Sequence, residues 1–336
     1  MIRYRIQNSN ILCEYACGIQ LCIAAALQAK KGKMMMKDIC TVSVVTFHPV
    51  WGDKEANLKR IMEYIEAAAK RGSDIVILPE MALTGYDDEA DKPLKEKMQY
   101  RLSETIPGPS TERIAALTKK LGVYAVLGMP AKDDTDPDTL YNALAVFSPD
   151  GVAGSYHKMH LPSPEPNWAT RGSSPFILET AWGPIGLAIC YDNYAFPELM
   201  RYYVSKGCRL IVNSTALAHC HGPYFGSPTL EAAVVQNGIY IASANLGGLD
   251  VENYFWGGSS IIGPGQKHVW SYYYYAGRKF TEEDAPECEV FTATIDLSLA
   301  TRYAFKYNPA VKGTDWRPDK YIELFEKALS DPDYGK

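Results

Sequence analysis

The chain has 336 residues, 47% of them hydrophobic and 22% charged, with a formal net charge of −5. That length and apolar content suffice for a large core in one α/β domain, and the scattered Lys and Arg exclude the clustered basic face that nucleic acid requires. No apolar run after residue 36 reaches the ~20 residues of a membrane helix, so neither nucleic acid nor a membrane is expected as a partner.

The first 36 residues stand apart. Arg3 and Arg5 precede ILCEYACGIQLCIAAALQA (11–29): a basic start, an apolar middle and small residues at the end, as in a signal peptide. Glu14 and Gln20 interrupt the apolar middle, and Met34, Met35 and Met36 offer later starts, which favours an upstream extension. Residues 1–36 are therefore read as a leader or upstream extension, 37–301 as the catalytic domain and 302–336 as a C-terminal tail. Of eight cysteines, Cys13, Cys17 and Cys22 lie in the leader, and Cys40, Cys190, Cys208, Cys220 and Cys288 are odd in number and widely spread. Without a CxxC pair among them they form neither a disulfide framework nor a zinc–thiolate site. They point to a reducing, cytoplasmic setting; a true signal peptide would instead mean a secreted or periplasmic protein.

TVSVVTF (41–47) reads as a buried strand, KEANLKRIMEYIEAAAKRG (54–72) as a helix stopped by Gly72, and DIVILPE (74–80) as a second strand ending on a carboxylate. STERIAALTKKLG (110–122) is a helix with Ser110 as N-cap and Gly122 as its stop. VYAVLGMP (123–130) follows, then LYNALAVFSPDG (140–151) and VAGSYHKMHL (152–161), joined as a hairpin through the SPDG turn. GPIGLAIC (183–190) is a strand and FPELMRYYVSKG (196–207) a helix with Pro197 in its first turn. CRLIVNST (208–215) is a strand, PTLEAAVVQNG (228–238) a helix and IYIASAN (239–245) a strand. GGSSIIGPGQ (257–266) and EVFTATIDL (289–297) complete the sheets, with YYYY (272–275) as a further strand or edge whose rings alternate. Apolar strands separated by helices imply α/β sheets covered by helices.

Three polar residues end apolar strands: Glu80, Lys158 and Cys190. In α/β sheets ligands sit beyond the carboxyl ends of strands, so a carboxylate, an ammonium and a thiol could converge there. Each also has a plain structural reading, as a helix cap, a solvated lysine and a small core residue. The chemistry nevertheless fits. A thiol with a pKa of ~8.5 is only a few per cent ionised at neutral pH, and a carboxylate beside it can take its proton and return it to a leaving nitrogen. A fixed cation and the N–H of Tyr191 can steady the oxyanion.

ILPEMALTGY (77–86), YHKMHLP (156–162) and CYD…FPELMR (190–201), in that order, resemble the carbon–nitrogen hydrolase family, or nitrilase superfamily, over roughly residues 41 to 300. The resemblance implies a four-layer αββα sandwich in a single domain. It implies Glu80 as general base, Lys158 as oxyanion stabiliser and Cys190 as nucleophile, with Glu165 as a second glutamate that holds the triad. It implies no metal and no organic cofactor, and a homo-oligomer built from dimers. The sequence departs from the family in placing three residues, Asn193, Tyr194 and Ala195, between CYD and FPE where two are common, which reshapes the pocket floor beside the nucleophile. Tyr191-Asp192 after the cysteine is similar to the amidase and carbamoylase branches, whereas nitrilases usually carry Trp-Glu. A small carboxamide or an N-carbamoyl (ureido) compound, cleaved through a cysteine thioester, is therefore expected over a nitrile.

Tyr86, Tyr191, Trp168 and Asn193 are the candidate substrate-binding residues, and Tyr224, Phe225 and Trp256 also fall on predicted loops near strand ends. Arg171 is equally readable as a carboxylate ligand or a surface ion-pair partner. His219 and His221 form an HxH without a visible third ligand, so a zinc hydrolase is the weaker alternative. A Cys–His dyad through His157 or His160 ranks below the Glu80 reading. Glu198 is expected to pair with Arg201 at i,i+3. Outside enzymes, a silent binding or scaffold member of the fold is the rival.

Overall fold

A computed structural model of the protein describes residues 36–218, 225–266, 270–277 and 287–335. The leader up to residue 35 lies outside the described residues, as do His219, Cys220, His221 and Tyr224. Residues Asp38–Lys336 form one unit.

The chain enters through β1 (Ile39–Thr46), α1 (Lys54–Lys70) and β2 (Ile75–Ile77). A short helix α2 (Met98–Leu102), α3 (Pro109–Leu121), β3 (Tyr124–Lys132), β4 (Leu140–Ser148) and β5 (Gly151–His157) complete the first half. The second half holds β6 (Ile177–Thr180), β7 (Gly183–Ile189), α4 (Tyr191–Ala195), α5 (Pro197–Ser205), β8 (Leu210–Thr215), α6 (Ser227–Asn237) and β9 (Tyr240–Asn245). After these come a small hairpin of β10 (Gly247–Leu249) and β11 (Tyr254–Trp256), then β12 (Ser260–Gly263), β13 (Tyr272–Ala276), β14 (Glu289–Asp296) and, in the tail, α7 (Pro318–Ser330).

Two six-stranded mixed sheets result, ordered β14-β1-β2-β3-β4-β5 and β13-β12-β9-β8-β7-β6. The period-2 geometry of a strand divides its side chains between two faces. Val42, Val44, Ile75 and Ile77 therefore join the cluster shared with Leu187, Ile189 and Val212 of the second sheet. Val45, Val76 and Leu78 point the other way, onto Leu58, Ile61 and Ile65 of α1 and Ile114 and Leu117 of α3. On the far side, Leu199, Met200 and Tyr203 of α5 and Leu230 and Val234 of α6 cover the second sheet. The layers are the expected αββα sandwich. β1, β2 and β3 pair in parallel, as do β7, β8 and β9, so the carboxyl ends of both central trios lie at sheet ends where a site can form.

Local differences have local causes. Helix α3 begins at Pro109 with Gly108 as its cap, not at Ser110; a proline prefers the first helical position, and the Ser110 hydroxyl instead donates to Glu104 at 2.8 Å. Strand β2 stops at Ile77, three residues before Glu80. The tyrosine run is an edge strand, but a register shift opposite Ile261/Ile262 breaks strict alternation: Tyr275 stacks on Phe291 while Tyr274 packs on Tyr240. Arg201 donates to the Gln236 carbonyl at 3.3 Å. Among the described residues no helix is long and apolar enough to cross a membrane, and Cys40, Cys190, Cys208 and Cys288 are free thiols.

Candidate active site

Glu80 owes its position to a missing side chain on the neighbouring strand. Beyond β2 the chain stays beside β3 through Leu78 N–H to the Val126 carbonyl at 2.9 Å and Gly128 N–H to the Pro79 carbonyl at 3.1 Å. A Cβ on Gly128 would lie 2.3 Å from the Pro79 oxygen, 2.5 Å from Glu80 Cα and 2.6 Å from the Met81 nitrogen. The next residue, Met81, takes a φ of 54°, a region that non-glycine residues rarely occupy. This turn drives the fully buried Glu80 side chain into the seam between the sheets. There its Oε1 accepts from Lys158 Nζ and from Asn142 Nδ2, each at 2.7 Å, and its Oε2 accepts from the Ala216 N–H at 2.8 Å.

Lys158 follows β5 directly and is also fully buried. Its Nζ is shared between Glu80 and Glu165 Oε1, the latter at 2.6 Å. Burial alone would disfavour the ammonium, but Glu165, Glu80 and the Cys190 sulfur more than reverse that and push its pKa up. Glu165 lies on a single 3-10 turn (Glu165–Asn167). It also accepts from the Tyr86 hydroxyl at 2.6 Å and from Asn142 Nδ2 at 3.3 Å. Burial, helped by the nearby Glu80 charge and opposed by Lys158, raises the Glu165 pKa from 4.5 to about 7. Tyr86 is held from behind: its N–H and that of Asp87 donate to Asp250 Oδ2 at 2.7 and 3.1 Å, and its ring sits edge-on to Phe255.

Cys190 follows β7 with φ 47° and ψ −104°, a sparsely populated conformation of the kind that stores strain at functional turns. Its N–H donates to the Ser214 carbonyl at 3.0 Å. Burial first, then Glu80, raises the thiol pKa, against the pull of Lys158 and Thr215. The thiol therefore rests protonated, and attack needs a base. The turn after it is pinned by Asp192, which is fully buried. Asp192 accepts from Tyr156 Oη at 2.7 Å, from the His160 N–H at 3.0 Å and ring Nδ1 at 2.7 Å, and from the Ile189 N–H at 3.3 Å.

The structure thus brings Glu80, Lys158, Glu165 and Tyr86 into one hydrogen-bonded cluster, with Cys190 in electrostatic contact with its first three members. Trp168 is buried with Met81, Leu140 and Leu161, packed beside Tyr86. The Tyr191 ring is edge-on to Phe196. Asn193 Nδ2 is buried and has no hydrogen-bond partner among the described residues. The imidazoles are committed elsewhere: His157 stacks on Tyr141, and His160 stacks on Phe196 while bonded to Asp192. Sequence reasoning missed the roles of Asn142, Asp192 and Asp250. Asn142 left one trace, as a lone amide inside the apolar run LYNALAV.

The model of the family described as carbon-nitrogen hydrolase matches residues 41–305. The chain belongs to this family. This carbon–nitrogen hydrolase is similar to the omega-amidase NIT2 of Xenopus tropicalis, 34% identical over 222 residues that cover 63% of this chain and 76% of the relative. It is 31% identical to the omega-amidase NIT2 of Homo sapiens over the same shares. Among solved structures it resembles an amidase from Nesterenkonia AN1 of the nitrilase superfamily, with a TM-score of 0.67 and 20% identity over 86% of this chain and 99% of that one. It also resembles Nit3 of Saccharomyces cerevisiae, with a TM-score of 0.68 and 24% identity over 80% and 94%. The sandwich of this carbon–nitrogen hydrolase is therefore the nitrilase fold.

Proposed function

We propose that the protein hydrolyses a small carboxamide or N-carbamoyl compound through a thioester on Cys190, with Glu80 as general base and acid and Lys158 as oxyanion stabiliser. One observation carries this reading: Lys158 Nζ lies 2.7 Å from Glu80 and 2.6 Å from Glu165 in a buried cluster, beside a Cys190 thiol whose pKa is raised by burial first and Glu80 next. Glu80 takes the thiol proton as sulfur attacks the carbonyl carbon. Lys158 and the Tyr191 N–H steady the oxyanion, a contribution of ~3–4 kcal/mol per donor in comparable sites. Glu80 returns the proton to the leaving nitrogen, then activates the water that cleaves the thioester. Glu165, with Tyr86 behind it, holds the ammonium in place. The unpartnered Asn193 amide is the candidate donor to substrate, and Trp168 acts by packing Tyr86. The omega-amidase names of the relatives support an amide over a nitrile.

The active form is read as a homo-oligomer. Ile322, Leu324, Phe325 and Leu329 of α7 are exposed apolar residues, and a groove of about 540 Å³ between α5 and α7 is lined by Tyr202, Trp316, Tyr321 and Phe325; a second copy of the chain is the occupant that would cover them. The free thiols Cys40, Cys190, Cys208 and Cys288 support the cytoplasmic reading. Ammonia release from a panel of carboxamides, ureido acids and nitriles tests the function. Activity on amides or ureido acids should vanish in Cys190→Ala and persist in Cys208→Ala; a fully active Cys190→Ala protein would end the mechanism.

A further inference from the structure

The carboxyl end of β8 holds both the base and the nucleophile. Ser214 accepts from the Cys190 N–H at 3.0 Å, Ala216 donates to Glu80 at 2.8 Å, and Thr215 lies between them. The parallel register pairs Ile189 with Ser214, which sets Thr215 alongside Cys190. The Thr215 hydroxyl is buried and has no hydrogen-bond partner among the described residues, in a register position beside Cys190, and its influence on both the Cys190 sulfur and the Tyr194 phenol favours ionisation. A buried hydroxyl without a partner is costly, by ~1–3 kcal/mol, and such a group in a native fold calls for a functional reason.

Tyr194 supplies the second half of the arrangement. It is one of the three residues that stand between CYD and FPE in this chain. Its oxygen accepts from Asn213 Nδ2 at 3.2 Å, and the same amide donates to Ser243 Oγ at 2.9 Å. Asn213 donates to this oxygen, so the bond leaves the phenol its proton for another acceptor. Burial first, then the Cys190 sulfur, pushes the phenol pKa well up, so that proton is retained at working pH.

On the reading that Cys190 is the nucleophile, we propose that Thr215 and Tyr194 are positioning residues that receive the sulfur as Glu80 removes its proton: the two hydroxyls donate to the thiolate and aim its remaining lone pair at the substrate carbonyl. The S–H proton passes to Glu80, and neither hydroxyl changes its protonation. Thr215 thereby gains the partner it lacks only when the sulfur is charged, so its hydrogen bond acts on the reactive state and not on the resting one.

The test combines Thr215→Val, Thr215→Ser and Tyr194→Phe with Cys190→Ala, all checked for fold by circular dichroism and thermal melting. Two readouts are taken: the rate of iodoacetamide alkylation of Cys190, followed by peptide mass from pH 6 to 10, and kcat and KM for ammonia release. A hydrogen bond to a charged group contributes ~1.5–3 kcal/mol, so Thr215→Val should alkylate ~10- to ~100-fold more slowly at pH 7.5, with its pH profile displaced upward. It should lose a similar factor in kcat with KM held, and Thr215→Ser should restore both. Tyr194→Phe should shift both readouts in the same direction by a smaller factor and remains informative if the valine variant fails to fold. Wild-type alkylation profiles in both Thr215→Val and Tyr194→Phe overturn the proposal while leaving the nucleophile intact; full activity in Cys190→Ala removes the nucleophile itself.

Discussion

Replacing Gly128 by Ala is the most direct test of how the base is placed. The new methyl would stand 2.3–2.6 Å from Pro79 O, Glu80 Cα and Met81 N, whereas ordinary contacts lie near ~3.5–4.0 Å. Relief therefore takes a displacement of about 1 Å, shared between β3 and the 79–81 turn. All three atoms are backbone, so no flexible side chain can absorb it. Overpacking of this kind costs ~1–3 kcal/mol of stability, which leaves a core of this size folded. The Glu80 carboxylate, by contrast, is fixed by three donors within 2.8 Å, and a misplacement of ~1 Å at a reacting group costs ~100-fold in rate. Gly128→Ala should thus lose about two orders of magnitude in kcat while its urea midpoint falls only modestly. Gly313→Ala, whose added Cβ comes no closer than 3.9 Å to another atom, is the control. A folded Gly128→Ala enzyme with wild-type kcat would refute the idea that this close approach sets the position of Glu80.

Two further outcomes are expected. Glu165 has its pKa raised from 4.5 to about 7, by burial first and Glu80 second; between those values the native protein holds a proton that the unfolded chain has released, so stability falls as pH rises through that window. Glu165→Gln fixes a neutral group and should flatten that slope in denaturation midpoints taken from pH 4.5 to 7.5; an unchanged slope would assign it to other groups. Asp192→Ala leaves Tyr156, His160 and Ile189 donors without their buried acceptor and should cost ~1–3 kcal/mol in urea unfolding, with Asp192→Asn recovering part of it; an alanine variant as stable as wild type would show that the Cys190 turn does not depend on this carboxylate.

What the sequence discloses about the site follows from how local each signal is. Glu80, Lys158 and Cys190 are readable because each lies where a strand finishes. Glu165 lies only seven residues beyond Lys158. Asn142 is 62 residues from the carboxylate it serves, and only the β4–β5 pairing, in which Lys158 N–H meets the Asn142 carbonyl at 2.8 Å, brings its amide to the seam. Tyr86 reads as an aromatic wall because a ring is visible in sequence; its hydroxyl bond to Glu165 spans 79 positions and is not. Trp168 lies on a predicted loop, yet it is buried, because the loop folds back over Met81 and Leu140. Helix α3 starts at Pro109 and not after Ser110 for a local reason, since Gly108-Pro109 already carries the cap and the first helical residue. Where α/β patterning dominates, as in the strands and helices of the sandwich, periodicity suffices. Where a contact depends on which sheet end meets which, it does not.

That dependence bears on how the site is kept in register. Glu80 extends from the first sheet and Cys190 from the second, so any sliding of one sheet on the other changes the distance between base and nucleophile. Two residues at the end of β8, Ser214 and Ala216, oppose such sliding. The Ser214 hydroxyl donates to the Leu78 carbonyl at 2.8 Å, two residues before Glu80, while the Ser214 carbonyl holds Cys190 and Ala216 holds the Glu80 carboxylate. The buried ammonium shared by two carboxylates adds nothing certain to stability, since desolvation offsets much of such pairing; its value lies in fixed charge aimed where the oxyanion forms. Ser214→Ala removes only the bond to Leu78 and leaves the Ala216 bond to Glu80 in place. It should therefore lower kcat ~10-fold by loosening Glu80 relative to Cys190, at a stability cost of ~1 kcal/mol, as read from ammonia release alongside urea unfolding. A variant that loses stability but keeps its full kcat would mean that packing between the sheets, and not this hydroxyl, sets the register.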